Sequence, residues 1–288
     1  MKKITIQDFM EQTGAELVIG NKNEILENLK KDTREVEKGD VYVGIKGENT
    51  DGSIFFEQAL KNGAKVCILN NIEIPQGTIQ KYKDRTIVKT NDTIESLQKI
   101  AEYKRKLYNI PVVGITGSVG KTSTKDLIAS VMSKKFKNLK TNGNYNNHIG
   151  VPLTILRLED HTSAVIEMGM NHLGEISKVT KIAKPTMSVI TNVGTAHIGN
   201  LGSRENILKA KMEILEGMEE GNAIIINNDN DMLHDWYLKN RKDKNIITYG
   251  IENESNIMAK NIVSLENASE FDVEIRGTNY HARVNVRR

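Results

Sequence analysis

The segment from Val112 to Asp126, V-V-G-I-T-G-S-V-G-K-T-S-T-K-D, holds the residues whose types and spacing point most directly to chemistry. Gly117 and Gly120 lead into Lys121 and Thr122 where a short apolar strand (Val112, Val113, Ile115) gives way to a helix. A turn that opens a helix aims unpaired backbone N–H groups at one point, and the helix dipole favours an anion there. Lys121 adds a mobile positive charge for phosphates, and Thr122 offers a hydroxyl to Mg²⁺. The strict spacing G-x-x-x-x-G-K-[ST] is not met, because its first glycine falls on Ile115 and the glycine present is Gly114. A tight strand-to-helix turn that binds nothing has the same outline.

Other polar residues stand where apolar runs end. Glu167 closes Val165-Ile166-Glu167 and suits either a Mg²⁺ ion beside a nucleotide or a structural salt bridge or cap. His197, in Thr191-Asn192-Val193-Gly194-Thr195-Ala196-His197, is either a ligand or an ordinary histidine. Asn227-Asn228-Asp229-Asn230-Asp231 offers amides to a base or ribose, or to the start of a helix near Met232. The polar run Thr141–Gly150 is rich in asparagine, which serves ligands and turns alike. Thr33 and Arg34 lie in an N-terminal loop and read as ligand contacts or scaffold. On pattern alone, Lys209 and Lys211 are solvated side chains of a helix from Arg204 to Glu216.

These groups need a scaffold, and the pattern specifies an α/β one. Thr5 caps a short helix closed by Gly14. Ser53 is expected to cap another that carries Ile54, Phe55, Ala59 and Leu60 on its apolar side. Strands are expected at Val41–Ile45, Ala64–Leu69 and Thr86–Lys89, with a loop over Ile72–Asp84. A helix begins at Asp92 and Glu95 and stops before Pro111, which sets a boundary between a domain at 1–109 and one at 110–288. Beyond it, strands at Val112–Thr116, Ala164–Met168, Met187–Asn192, Ala223–Asn227 and Ile246–Tyr249 alternate with helices. That alternation argues for a P-loop-type, mostly parallel sheet covered by helices. Segments Phe271–Ile275 and His281–Val286 make the C-terminal end rich in β-structure.

Composition narrows the partners. The 288 residues carry 40 basic and 37 acidic side chains, a net +3, which gives no reason to expect nucleic acid; clusters such as Lys134, Lys135 and Lys137, or Arg287 and Arg288, read as solvated faces. The single cysteine, Cys67, excludes an internal disulfide and reads as a buried thiol. The M-K-K start lacks the apolar core of a signal peptide, and no run reaches a membrane span, so a cytoplasmic setting is the default. No Asn-Lys-x-Asp segment for reading guanine is present.

Taken together, the motifs resemble the Mur ligase family, ATP-dependent amide-bond ligases of peptidoglycan synthesis. The resemblance rests on Ile115–Lys125, the asparagine loop running into Ile149-Gly150-Val151-Pro152-Leu153-Thr154, Glu167-Met168-Gly169-Met170, Asn192–His197, Asp32-Thr33-Arg34 and Gly47–Gly52. The Thr-Ser-Thr-Lys-Asp continuation from Thr122 and the three central segments point to the branch that adds D-alanyl-D-alanine. The resemblance implies that ATP phosphorylates the carboxylate of a UDP-N-acetylmuramoyl-tripeptide, and that the amine of D-alanyl-D-alanine attacks the acyl phosphate. It assigns the nucleotide to Gly117, Ser118, Gly120, Lys121, Thr122 and Ser123, with Asn227 at adenine. Thr122 and Glu167 would hold one Mg²⁺ and His197 a second; Lys211 matches a lysine that relatives carbamylate with CO₂. Thr33 and Arg34 fall where the UDP-sugar is held, and Asn146 and Asn147 where the substrate chain is contacted. Family members normally continue into a Rossmann-like C-terminal ligase domain; this chain is expected to lack it, to be a truncated ligase, and to be a monomer. Another ligase of the superfamily, or a non-catalytic nucleotide-binding module, is the alternative.

Overall fold

In the computed structural model the described residues are 3–275 and 277–285. The first two residues of the M-K-K start, Val286 of the last expected strand, and the Arg287–Arg288 pair lie outside them.

The N-terminal region starts with helix α1 (Ile6–Thr13), held by a reciprocal cap in which Thr5 accepts from the Asp8 amide while Asp8 accepts from the Thr5 amide. Gly14, at φ 74°, ends it in the left-handed conformation that glycine takes without a Cβ penalty. Five strands follow: β1 (Glu16–Ile19), β2 (Leu29–Lys30), β3 (Val41–Val43), β4 (Val66–Asn70) and β5 (Thr86–Thr90). Their sheet order is β1-β5-β4-β3-β2, with β1 antiparallel to β5 and the rest parallel. Helix α2 (Phe56–Asn62) covers one face through Phe56, Ala59 and Leu60, over a core that includes Tyr42, Leu69 and the buried Cys67. Burial pushes the Cys67 thiol up to about 12, so it stays protonated and inert.

Two expectations here are corrected. Asp51, not Ser53, provides the cap, accepting from the Ser53 amide at 2.8 Å. Ser53 is buried instead, donating to Gly44 O and accepting from the Asn70 amide, while Ile54 and Phe55 face solvent. The presumed loop at 72–84 contains helix α3 (Gln76–Lys81), because Pro75, whose fixed φ suits a helix start, opens it rather than breaking it.

Helix α4 (Thr93–Lys106), capped by Asp92, joins the two regions. It packs on α1 and also on α6 (Gly150–Ile155) and α7 (Glu175–Ala183) of the second region, which follow α5 (Lys121–Met132) in the chain. One continuous apolar core therefore runs from Ile6 and Phe9 through Leu97 and Ile100 to Val151 and Ile176. Lys104 and Arg105 seal this junction from within. Lys104 Nζ donates to Leu156 O at 2.6 Å, and the Arg105 guanidinium donates to Tyr108 O, Ala183 O and Lys184 O, so both cations cap helix C-termini.

The second sheet contains β6 (Val112–Thr116), β7 (Asn138–Lys140), β8 (Ser163–Glu167), β9 (Met187–Ile190), β10 (Ala223–Asn227), β11 (Ile246–Gly250), β12 (Ile257–Ser264), β13 (Ala268–Ile275) and β14 (Thr278–Asn285). Their order is β14-β13-β12-β11-β10-β9-β6-β8-β7, parallel from β7 to β12 and antiparallel through β13 and β14. Helices α8 (Ile198–Leu201), α9 (Arg204–Met212) and α10 (Asp231–Asn240) complete it. The helix expected to reach Glu216 stops at Met212 and tightens into a 3₁₀ turn, Glu213–Gly217. Contact with α7 is the reason: Glu213 accepts from the amides of Gly174 and Ser177, and Thr180 donates to Ile214 O. Among the described residues, no helix is long and apolar enough to cross a membrane.

Candidate phosphate-binding site

Strand β6 delivers the chain into the loop with its side chains committed to the core. Ile115 is fully buried beneath α5, so this position serves packing, and Gly114 admits Pro185 and Ile214, which a Cβ there would meet at 3.1–3.2 Å. The displaced glycine of the motif thus has a packing cause. Gly117 has another: a Cβ would fall 1.9 Å from Thr191 Oγ1. Gly120 adopts φ 80° as the N-cap of α5 and contributes no side-chain cap, which leaves the first-turn amides for a ligand.

Lys121 Nζ folds back onto Gly117 O at 2.7 Å and Ser118 O at 3.4 Å. Burial lowers its pKa and the Glu167 charge opposes that shift, so the carboxylate and the ammonium are electrostatic neighbours. Glu167, at the end of β8, is 1% exposed. Its carboxylate accepts from Thr122 Oγ1 at 3.0 Å and from Asn146 Nδ2 at 2.9 Å, and its amide donates to Thr141 Oγ1 at 3.0 Å. A hydroxyl and a carboxylate oxygen side by side form a hard donor set suited to Mg²⁺. No group of three or more His, Cys, Asp or Glu side chains able to hold a metal occurs among the described residues. Mg²⁺ bound through one carboxylate and substrate phosphates does not require one.

Lys211, read as solvated from the pattern, is 1% exposed, whereas Lys209 faces water as expected. Burial, reinforced by the charge of Lys121, lowers the Lys211 pKa to about 7. Lys211 shares the buried side of α9 with Ile207 and Ala210, where the helix packs against α7, α8 and α10.

The remaining expected residues are placed differently. His197 is exposed at φ 67°, starting α8, and its ring joins no hydrogen bond to Glu167 or Thr122. Ser123 is exposed in the first turn of α5. Asn227 ends β10 and accepts from the Asp229 amide at 3.0 Å, while Asn230 caps α10. Asn147 Oδ1 accepts from the amides of Ile149 and Gly150 in the turn that leads into α6. Arg34 is exposed and grips Asp32 with both arms, holding that carboxyl down to about 2, and the Thr33 carbonyl accepts from Asn62.

A cavity of about 720 Å³ lies between the two regions, with Lys31 and Glu35 on one wall and Asn142, Tyr145 and Arg157 on the other. It does not include the phosphate loop, but it runs between the Thr33–Arg34 turn and the asparagine loop, where Lys31 Nζ sits 5.2 Å from the Tyr145 ring.

Sequence reasoning assigned no role to three further residues at the site. Thr141 positions Glu167, Thr191 Oγ1 donates to Val119 O at 2.7 Å, and Asn192 Oδ1 accepts from the amides of Ser118 and Val119. Their only signal was their place just after a strand, at the edge where α/β sheets collect ligands.

Comparison with known proteins agrees across the chain. The Mur ligase middle domain model matches residues 115–287, and a model described as the Mur ligase family, catalytic domain, matches residues 25–105. The UDP-N-acetylmuramoyl-tripeptide–D-alanyl-D-alanine ligase of Bacillus subtilis is 35% identical over 251 residues, 87% of this chain and 53% of the relative. That of Synechocystis is 42% identical over 229 residues, 79% of this chain and 49% of the relative. MurF from Acinetobacter baumannii superposes with a TM-score of 0.84 at 29% identity, over 99% of this chain and 61% of that one. The chain spans about half the length of the two sequence relatives. With the middle-domain match covering more than half of its residues, the chain belongs to the Mur ligase family.

Proposed function

We propose that this chain carries the UDP-substrate and ATP sites of a ligase that joins UDP-N-acetylmuramoyl-tripeptide to D-alanyl-D-alanine. The observation that carries the reading is the cluster of Lys121, Thr122, Asn146 and buried Glu167 around a phosphate loop, with Lys211 beneath it. The names of relatives at 35–42% identity support the branch, and MurF from Thermotoga maritima, 30% identical with a TM-score of 0.77, was solved in complex with ADP.

In this reading residues 110–288 bind ATP. Lys121 and the amides from Gly117 to Ser123, with those of Ser118, Gly120 and Thr122 between them, neutralise and orient the phosphates, and Asn227 meets adenine. Thr122 and Glu167 hold Mg²⁺, with His197 assigned to a second ion; when bound, Mg²⁺ neutralises the charge that builds on the transferring phosphoryl group. Residues 1–109 hold the UDP-sugar through Thr33 and Arg34, and Asn146 and Asn147 contact the substrate chain. The γ-phosphoryl group passes from ATP to the terminal carboxylate of the tripeptide, leaving ADP and an acyl phosphate. The amine of D-alanyl-D-alanine then attacks the acyl carbon and expels phosphate, forming the amide. These steps join anions, so charge neutralisation and alignment do most of the work.

Lys211 has a role that its environment supports. With a pKa of about 7, a large fraction is a free amine at neutral pH, able to add CO₂ and release a proton. The carbamate replaces a cation that repels Lys121 with an anion that attracts it.

A trapping experiment tests the reading without requiring an amine site. The chain is incubated with ATP, Mg²⁺, UDP-N-acetylmuramoyl-tripeptide and hydroxylamine, and the nucleotide product is examined by mass spectrometry. A hydroxamate of the tripeptide is expected. A folded chain that binds Mg·ATP but yields no hydroxamate is a nucleotide-binding module, and carboxylate activation by this chain is then wrong.

A further inference from the structure

The phosphate loop is filled from within the chain. Val119 N–H and Ser118 N–H, donors that a phosphate oxygen would use, both point at Asn192 Oδ1, 3.1 Å from each, and Ser118 N–H is shared with the Asn192 backbone carbonyl, also at 3.1 Å. The same carboxamide donates through Nδ2 to Val119 O at 3.2 Å, so its hydrogen bonds among the described residues are with the loop. Val119 is 64% exposed while Ser118 is buried, so the contact spans from the surface of the loop inward. Two further bonds hold the loop independently of the Asn192 side chain, Thr191 Oγ1 on Val119 O and the Gly194 amide on Ser118 Oγ at 2.9 Å.

A carboxamide oxygen is a neutral acceptor with two lone pairs, and here it occupies the position relative to two adjacent amides that an anionic oxygen takes in a backbone nest. Val119 N–H has Asn192 Oδ1 as its acceptor and Ser118 N–H divides itself between that oxygen and the Asn192 carbonyl, so a phosphate oxygen competes with the Asn192 side chain at both amides. Resting on the nucleotide-binding reading above, we propose that Asn192 is an internal stand-in for phosphate. It keeps the empty loop satisfied and in shape, and it surrenders Ser118 and Val119 to a phosphate oxygen when nucleotide enters. The exchange favours nucleotide because hydrogen bonds to a charged acceptor are roughly twice as strong as neutral ones.

Calorimetric titration of Mg·ATP into the intact chain separates this from a simple bracing role, with circular dichroism confirming that each variant is folded. Asn192→Ala removes the competitor and should tighten binding roughly three- to tenfold. Asn192→Asp keeps the shape, grips the amides more strongly and repels phosphate, and should weaken binding roughly tenfold or more. A brace gives the opposite pattern, with alanine weakening binding and aspartate near wild type. Alanine binding equal to or weaker than wild type, or aspartate equal or tighter, overturns the exchange. If the alanine variant does not fold, Asn192→Ser, whose hydroxyl is too short to reach both amides, carries the same expectation. Wild-type chain that is folded yet binds no Mg·ATP rejects the nucleotide reading itself, and the exchange with it.

Discussion

Two regions of this chain hold paired cations away from water, and their treatment is opposite. At the junction, Lys104 and Arg105 are buried but surrounded by acceptors: four carbonyl oxygens take their protons, and Glu159 and Glu27 offset the desolvation of Lys104. On α9 beside the loop, Lys211 is buried as deeply, and the charge of Lys121 adds to the cost of that burial. The junction is arranged for stability and the loop is not. Unfavourable burial of a titratable group in a ligand-binding loop marks a place where something else completes the structure, here phosphate, Mg²⁺ or a carbamate.

The comparison breaks most readily at Lys211. Its pKa falls from 10.5 unfolded to about 7 folded, so the unfolded chain binds more protons between those values and stability rises with pH across that window. The cost is fully present below about pH 7 and is relieved as pH approaches 10.5. Lys211→Met is therefore expected to raise the unfolding free energy at pH 7, by up to about 4 kcal/mol on the scale of 1.4 kcal/mol per pKa unit. It should also flatten the rise above pH 7; urea unfolding between pH 6 and 10 reads both, and a destabilised variant would put Lys211 among the structural cations.

Arg105→Ala should act in the other direction, costing about 3 kcal/mol, since it strands the carbonyls of Ala183 and Lys184 at a buried helix end. A melting temperature within a degree or so of wild type would remove the junction from the comparison. Lys104→Met loses one charged hydrogen bond and keeps the apolar stem, so the expected loss is smaller, about 1 kcal/mol by the same unfolding measurement. Arg34→Ala should be the smallest change. Its ion pair with Asp32 is exposed, and thermal unfolding is expected to be unaltered while affinity for the UDP-substrate falls.

Much of this arrangement was legible from residue types. The loop, Glu167 at its strand end and the β/α alternation follow from local pattern, because strand-turn-helix geometry is encoded within a few residues. Burial of Lys211 was not legible from α9 alone. Lys211 lies on the side of Ile207 and Leu208, where a lysine reads as a solvated rim residue by type, and its burial comes with the packing of α9 against α7, α8 and α10. Asn192 was visible as part of a motif but silent as to role, since its partners lie more than 70 positions away in sequence. The Ser53 expectation failed for a related reason. Asp51 and Ser53 are both competent caps, and the burial of Ser53 against Gly44 and Asn70 chose between them.

The central claim is that the loop and Glu167 form one Mg-nucleotide site. Titrating ATP into wild-type chain and Glu167→Gln, each with Mg²⁺ and with EDTA, tests it most directly. The wild type should bind more tightly with Mg²⁺, and Glu167→Gln should retain ATP binding while losing most of that Mg²⁺ dependence. Folded wild-type chain that does not bind ATP, or a Glu167→Gln variant with its Mg²⁺ dependence intact, contradicts the account.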